Sequence, residues 1–308
     1  MKVLVTGADG FVGRHLVRRL AARGDSVVAA CGSGAGSDPG TLRIPFELTD
    51  DRSIHAALEH DPDAVVHLAA VASTREARQD PGRAWAVNAG GTARLAEAMA
   101  ARRTAGGREA LLLVVSSGEV YGAGGGIPRH ESDSLQPISS YAATKVGAEV
   151  AALEVWRRTG LPAMIVRPFT HTGPGQHPGF VLPAFVQRLR AARAAGTREV
   201  PTGNLDPVRD LLDVRDVVEA YLALLQRGVP GEIYNVARGE GHTLQELFDR
   251  LAWLIGVAAE PRPSPELTRA VDIPHLVGDS TKLRQATGWS PAITLDAMLR
   301  GLVDAQAD

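Results

Sequence analysis

Tyr141 and Lys145 stand four residues apart in Tyr141-Ala142-Ala143-Thr144-Lys145. On a helix that spacing puts a phenol and an ammonium one turn apart on one face. A nearby positive charge lowers a phenol's pKa, so Lys145 is expected to hold Tyr141 down and make it a usable proton donor or acceptor near neutral pH. Taken alone, such a pair is also what a solvated helix face carries. Ser117 makes the chemical reading more specific. It follows the apolar run Leu111 to Ser116, at the carboxyl end of a strand, the edge where open α/β sheets bind ligands, and its hydroxyl could hydrogen-bond a substrate carbonyl. Ser117-Gly118-Glu119-Val120-Tyr121-Gly122, followed 24 residues after Ser117 by Tyr141, is far more specific than any of its parts.

A second chemical feature opens the chain. The strand-like Lys2 to Thr6 runs into Gly7-Ala8-Asp9-Gly10-Phe11-Val12-Gly13 and then into a helix. Glycines at those places let the backbone turn sharply and approach a pyrophosphate, while the helix start offers free N–H groups and a positive dipole end. The spacing GxxGxxG departs from the GxGxxG fingerprint, and a tight strand-to-helix turn without a ligand is the plainer alternative. A dinucleotide is the expected occupant. No acid stands at the end of the second strand, Ala30-Cys31-Gly32-Ser33, to hold an NAD ribose. The reading is NADP(H) or NAD(H), leaning to NADP(H), with Arg14 and Arg43 as candidates for a 2′-phosphate.

These groups need a frame, and the hydrophobic pattern supplies one. Short β-type runs at Lys2 to Thr6, Ser26 to Ala30, Leu42 to Phe46, Asp63 to Leu68, Leu111 to Ser116 and Ala163 to Arg167 alternate with helical stretches at Phe11 to Arg23, Trp85 to Arg103 and Tyr141 to Arg158. Such alternation predicts βαβ units and a Rossmann-type, doubly wound parallel sheet. The expected division is a dinucleotide-binding domain over 1–168, rejoined by about 210–237, and a smaller, discontinuous substrate-binding lobe over 169–308. Helices are expected at Val181 to Ala195, Val214 to Arg227 and Thr243 to Val257, and the Pro-rich stretch Pro261 to Pro274 belongs to the second lobe. The cleft between lobes is the default binding site.

Composition narrows the function classes. The 308 residues are 44% hydrophobic and 22% charged, enough for a sizeable core. A formal charge of −2 from 33 basic and 35 acidic residues provides no field for nucleic acid or anionic membrane, so neither is expected as a partner. The single cysteine, Cys31, and the absence of CxxC or clustered His/Cys spacing predict no structural metal. His130, His171, His177 and His242 fall in loop-like segments without ligand spacing. The opening strand-like run and the lack of long apolar stretches lead to the expectation of a cytoplasmic protein.

Taken together, TGADGFVG from Thr6, HLAA from His67, NAGGT from Asn88, SSGEVYG from Ser116, YAATK from Tyr141 and VRP from Val166 resemble the extended short-chain dehydrogenase/reductase family. These are NAD(P)-dependent epimerases and dehydratases of nucleotide sugars, and the likeness covers essentially the whole chain. It implies a catalytic triad of Ser117, Tyr141 and Lys145, with Lys145 also on the nicotinamide ribose. It implies cofactor contacts from Gly7, Gly10, Phe11, Val12, Gly13, Leu48, Leu68, Ala69, Ala70, Asn88, Tyr141, Lys145 and Arg167. The family's Asp-hydrophobic pair at the adenine is Glu47-Leu48 here. RPFTHTGPGQHPGFV from Arg167, GNLDPVRDLLDVRDV from Gly203, YNVARGEG from Tyr234 and DIPHLVGDSTKLRQATGW from Asp272 look most like the branch that reduces GDP-4-keto-6-deoxy-D-mannose. The GDP-mannose 4,6-dehydratase branch is next. By that likeness Arg209 and Arg269 would clamp the diphosphate of a nucleotide-diphosphate sugar, Asp272 would hold the nucleotide ribose, and Thr170 and Val181 would line the substrate site, Thr170 where the family has asparagine.

The expected reaction is hydride transfer to the C4 ketone of a nucleotide-linked 4-keto-6-deoxyhexose, a step of deoxysugar biosynthesis. Glu119 keeps a 4,6-dehydratase or epimerase open, since dehydratases carry their C5 base there. Gly118 replaces the aspartate of the dTDP-sugar dehydratases, although a ketoreductase for a dTDP-sugar stays open, as does a non-enzymatic NAD(P)-sensing protein. The family also pairs helices as a homodimer, for which Trp85, Leu95, Met99, Val146, Val150 and Leu153 offer apolar stripes that could equally be core.

Overall fold

The computed structural model describes residues 1–32, 36–38, 40–267 and 272–305. In chain order the first half holds β1 (Lys2–Thr6), α1 (Phe11–Ala22), β2 (Ser26–Cys31), β3 (Gly36–Asp38), β4 (Thr41–Pro45), α2 (Asp51–Leu58), β5 (Ala64–His67), α3 (Thr74–Gln79), α4 (Pro81–Trp85), a π turn at Ala86–Gly90, α5 (Gly91–Thr104), β6 (Leu111–Val115), a 3-10 turn at Gly118–Tyr121, α6 (Ser140–Thr159) and β7 (Ala163–Pro168). The second half holds β8 (Thr170–Thr172), α7 (Val181–Ala195), β9 (Glu199–Thr202), β10 (Val208–Asp213), α8 (Val214–Arg227), β11 (Ile233–Val236), β12 (Gly241–Thr243), α9 (Leu244–Ile255), β13 (Glu260–Pro263), β14 (His275–Leu276), α10 (Thr281–Thr287) and α11 (Leu295–Asp304).

The main sheet has the order β11-β7-β6-β5-β1-β2-β4-β3, parallel throughout except for the antiparallel edge strand β3. Its inner strands are largely apolar, β6 (LLLVV) throughout, because helices cover both faces. One face packs on α1 and α8 through Leu16, Val17, Leu20, Val217 and Tyr221; the other packs on α2, α5 and α6 through Ile54, Leu95, Met99, Ala152 and Leu153. This is the Rossmann-type doubly wound fold. Strand order reverses between β1 and β5, so β1, β2 and β5 open a crevice at their carboxyl ends.

Two expectations change. The helix read over Trp85 to Arg103 is interrupted by the π turn, where Asn88 reaches Val71 and Thr144. Of the apolar stripe read as a pairing surface, Leu95, Met99 and Leu153 are core, whereas Trp85 and Val150 are exposed. After β7 the chain builds a smaller structure centred on β10, which pairs with β8, β12 and β14, while β9 pairs with β13. Its own core gathers α7, α9 and α11 around Phe185, Leu247, Phe248 and Leu299. No helix among the described residues is long and apolar enough to cross a membrane.

Candidate active site

Helix α6 begins at the carboxyl edge of the main sheet because Ser139 caps it, its hydroxyl accepting from Ala142 N at 3.1 Å. That start fixes Tyr141 in the first turn and Lys145 one turn on. Ser117 caps the 3-10 turn leaving β6, accepting from Glu119 N at 3.2 Å, and its hydroxyl is close enough to the Tyr141 phenol to lower its pKa. Lys145 is 7% exposed; its Nζ donates to Val115 O at 2.8 Å and lies 5.9 Å from the Tyr141 ring centre. The structure thus brings Ser117, Tyr141 and Lys145 to one place, with Glu119 beside them.

The electrostatics differ from the sequence expectation. Burial pushes the Tyr141 phenol above its ordinary range, the Glu119 carboxylate pushes it further, and only the Ser117 hydrogen bond opposes them. Lys145 is itself pulled down to about 8 by burial, against the attraction of Glu149. In this state desolvation outweighs the cation, and Tyr141 is a firmly protonated phenol.

At the other end of the crevice, Gly7 adopts φ +67° and a Cβ there would come 2.8 Å from Ala69 N. A Cβ on Gly13 would stand 2.2 Å from Gly7 O, so the turn closes only without side chains. Gly10 caps α1 with no side-chain hydrogen bond, which leaves the N–H groups of Phe11, Val12 and Gly13 at the helix start without a capping side chain. Leu68, Ala69 and Ala70 run past Gly7, with Ala69 N donating to Thr6 Oγ1 at 3.2 Å. A cavity of about 390 Å³ lies alongside, lined by Ala8, Arg14, Arg18, Cys31, Thr41 and Arg43. An uncapped helix start, a backbone-only turn and a basic cavity at the end of β2 fit a dinucleotide with its pyrophosphate on α1.

Three residues expected at the cofactor are engaged elsewhere. Arg167 is 2% exposed; its Nε and Nη2 donate to Glu149 at 2.9 and 2.6 Å, and its Nη1 donates to Tyr121 Oη at 2.8 Å. Its guanidinium is turned into the protein because β7 is buried on both faces. The Asn88 amide donates to Val71 O and Thr144 Oγ1 and accepts from Val71 N, all within the protein. Leu48 is 3% exposed and packed onto Gly91 of α5, inside the core.

Of the substrate-side residues, Thr170 lies on β8 and Val181 starts α7, both half-buried. Arg209 Nη2 donates to Asp272 Oδ1 at 2.6 Å and its Nη1 to Ile273 O at 2.7 Å, so these two expected ligands meet across 63 residues of sequence. Arg269 lies outside the described residues. Among the described residues no group of three or more His, Cys, Asp or Glu could hold a metal.

Some neighbours were not anticipated. His171 stacks flat on Phe11, ring centres 6.2 Å apart, and donates from Nδ1 to Phe169 O at 2.9 Å; burial lowers its pKa, favouring the neutral ring. His15 and Arg14 hold Pro174 O and Gly175 O, fastening this segment to the start of α1. The Asp9 carboxylate stands near Gly32, where the sequence lacks an acid of its own. His67, held neutral with a pKa of about 3 by burial, links Thr6 to Thr92. None of these pairs is adjacent in sequence, so only the folded topology reveals them.

The model of the NAD dependent epimerase/dehydratase family matches residues 3–237. The chain belongs to that family. It is similar to GDP-6-deoxy-D-mannose reductase of Pseudomonas aeruginosa, 34% identical over 98% of this chain and 96% of the relative. Among solved structures it is similar to RMD from Pseudomonas aeruginosa complexed with NADPH, with 33% identity, a TM-score of 0.85, and coverage of 99% of this chain and 98% of that one. It is also similar to the Thermus thermophilus UDP-glucose 4-epimerase complex with NAD, with 31% identity, a TM-score of 0.87 and coverage of 100% of each chain. The family is NAD(P)-dependent, and the chain is an enzyme of that class acting in nucleotide-sugar chemistry.

Proposed function

We propose that this enzyme is an NAD(P)H-dependent reductase of the C4 ketone of a nucleotide-linked 4-keto-6-deoxyhexose, with GDP-4-keto-6-deoxy-D-mannose as substrate. The observation that carries the chemistry is the convergence of Ser117, a protonated Tyr141 and Lys145 at the carboxyl edge of the sheet, with the Lys145 ammonium 5.9 Å from the Tyr141 ring centre. When bound, the dinucleotide supplies the hydride. Tyr141 Oη holds the proton that a reduced ketone oxygen must receive, and burial keeps that proton in place until an alkoxide asks for it. Ser117 orients the phenol and polarises the ketone. Lys145, one turn below, would present its ammonium to the cofactor ribose. Gly7, Gly10 and Gly13, with the N–H groups of Phe11 and Val12, would hold the pyrophosphate, with Leu68, Ala69 and Ala70 beside it.

The substrate assignment rests on the likeness to the Pseudomonas aeruginosa reductase over nearly both chains. Arg209 and Asp272 bind the sugar nucleotide from β10 and the approach to β14, joined by Arg269, with Thr170 and Val181 lining the hexose side. NADP(H) is the favoured cofactor, because Arg14, Arg18 and Arg43 surround the cavity at the end of β2. A homodimer through the α4–α6 face is supported by the exposure of Trp85 and Val150 there.

A second reading, a 4,6-dehydratase, is favoured by Glu119, whose carboxylate is close enough to raise the Tyr141 pKa. The paired-acid variant is disfavoured because Phe169 stands 3.1 Å from where a Cβ on Gly118 would be. The test supplies the purified protein with NADPH or NADH and either GDP-4-keto-6-deoxy-D-mannose or GDP-mannose. Oxidation of NADPH in step with loss of the keto sugar is expected. A keto sugar appearing from GDP-mannose without net oxidation would instead establish the dehydratase.

A further inference from the structure

Arg167 does not face the crevice, and what it holds instead has a consequence for the proton-transfer pair. Tyr141, Lys145 and Glu149 follow one another at four-residue steps along α6, on one face. Lys145 and Glu149 are 7% and 2% exposed. An ammonium so buried is costly unless an opposite charge compensates it.

Among the described residues, the ionisable groups around Lys145 leave one source for that charge. On α6 they are Tyr141, protonated, and Glu149; on β5 is His67, neutral; on β7 is Arg167, a cation; on the 3-10 turn is Glu119, which acts on Tyr141. Glu131, in the segment before α6, is buried against Arg167, its backbone oxygen accepting from Nη1 at 3.3 Å. Glu149 is the anion whose field reaches Lys145 and opposes its deprotonation.

Glu149 is also held with unusual completeness. Arg167 donates to both carboxylate oxygens, at 2.9 and 2.6 Å, and the Ser116 hydroxyl donates to Oε1. Arg167 is fixed in turn by Tyr121 Oη, which donates to Asn235 Oδ1 at 2.8 Å. Two-point guanidinium–carboxylate pairing sets geometry as well as charge. The same carboxylate therefore fixes Ser116, the residue before Ser117, and stands one turn below Lys145.

We propose that Glu149, pinned by Arg167, is a positioning residue of the active site: its carboxylate supplies the counter-charge that keeps the Lys145 ammonium under Tyr141 and anchors the strand end that carries Ser117. This rests on the reductase reading for its functional meaning, but its electrostatic core can be measured without substrate or cofactor.

The sequence contains three lysines, Lys2, Lys145 and Lys282. A full-length protein labelled with carbon-13 at the lysine ε-carbon gives three signals, assigned with Lys2→Arg and Lys282→Arg. Wild-type Lys145 is expected to titrate near 8. Glu149→Gln should lower that midpoint by about one unit, the smaller end of what a nearby opposite charge provides, and the alkaline limb of turnover should move down with it. Glu149→Asp should recover part of both shifts. Because the single Gln variant leaves Arg167 unpaired in the core, the Glu149 charge is also read without Arg167: the double variant Glu149→Gln, Arg167→Met should titrate about one unit below Arg167→Met alone. Equal Lys145 midpoints within either pair of folded proteins, with and without the Glu149 charge, would overturn the proposal, and so would a moved midpoint with an unmoved turnover profile. A wild type that titrates as expected but reduces no keto sugar would refute the reductase reading and leave the Lys145–Glu149 coupling standing.

Discussion

Replacing Tyr141 by Phe removes one oxygen and leaves a ring of the same shape in its half-buried place. The ring still lies 5.9 Å from the Lys145 ammonium, and Lys145 keeps its bond to Val115 O. The phenol oxygen lies near the Ser117 hydroxyl, which already accepts from Glu119 N, so folding stability should fall by no more than about 1 kcal/mol, the net value of one hydrogen bond. Turnover is a different matter, because the phenol is the group whose proton burial and Glu119 retain. Losing a positioned acid costs roughly 100- to 10,000-fold, or about 3–5 kcal/mol of transition-state stabilisation. The assay is the initial rate of keto-sugar-dependent NADPH oxidation at saturating substrate, paired with NADPH affinity from its fluorescence. The expected result is the full loss of rate with affinity within about twofold of wild type, since the cofactor cradle is untouched. Tyr234→Phe is the control: it strips the hydroxyl that accepts from Val229 N at 3.1 Å, away from the active site, and should cost about 1–3 kcal/mol of stability without a selective loss of turnover. Turnover of Tyr141→Phe within about threefold of wild type would refute the role given to the phenol.

The same electrostatics set a pH dependence: with Tyr141 protonated throughout, the rate should fall above about pH 8 as Lys145 loses its proton, and a profile flat through that region would contradict the need for the ammonium. Gly13→Ala would place a methyl 2.2 Å from Gly7 O and force the turn open, so NADPH and NADH affinity should both drop by about tenfold or more, checked by fluorescence titration. Arg43→Ala should weaken NADPH selectively, raising its KM by about tenfold relative to NADH, because Arg43 lines the basic cavity at the end of β2 proposed for the 2′-phosphate.

The frame and the local motifs were legible because their information is local. Continuous apolar runs at β1, β5 and β6 announce a covered parallel sheet, and Gly7 to Gly13 and Tyr141 to Lys145 act over one turn of chain. What the sequence hid depends on which way a side chain points once the sheet is built. Arg167 belongs to a recognisable motif, but β7 is buried on both faces, and its partner Glu149 is reached only when α6 packs across β6 and β7. Asn88 and Leu48 likewise sit in motifs that the family resemblance assigns to the cofactor, while their own side chains close onto Thr144 and Gly91. The Tyr141 pKa moves opposite to what the Lys145 spacing predicts, because spacing reveals a neighbouring charge but not the loss of solvent, and here burial is the larger effect. The pairing of Arg209 with Asp272, and of His171 with Phe11, crosses from one half of the chain to the other and has no short-range signature.

The most direct test of hydride delivery to a C4 ketone uses cofactor deuterated at the transferable position of the nicotinamide with GDP-4-keto-6-deoxy-D-mannose, reading the product hexose by NMR. One deuteron at C4 and none elsewhere is the expected result. Deuterium at C6, or a reduced hexose that carries no label, would contradict a C4 reductase.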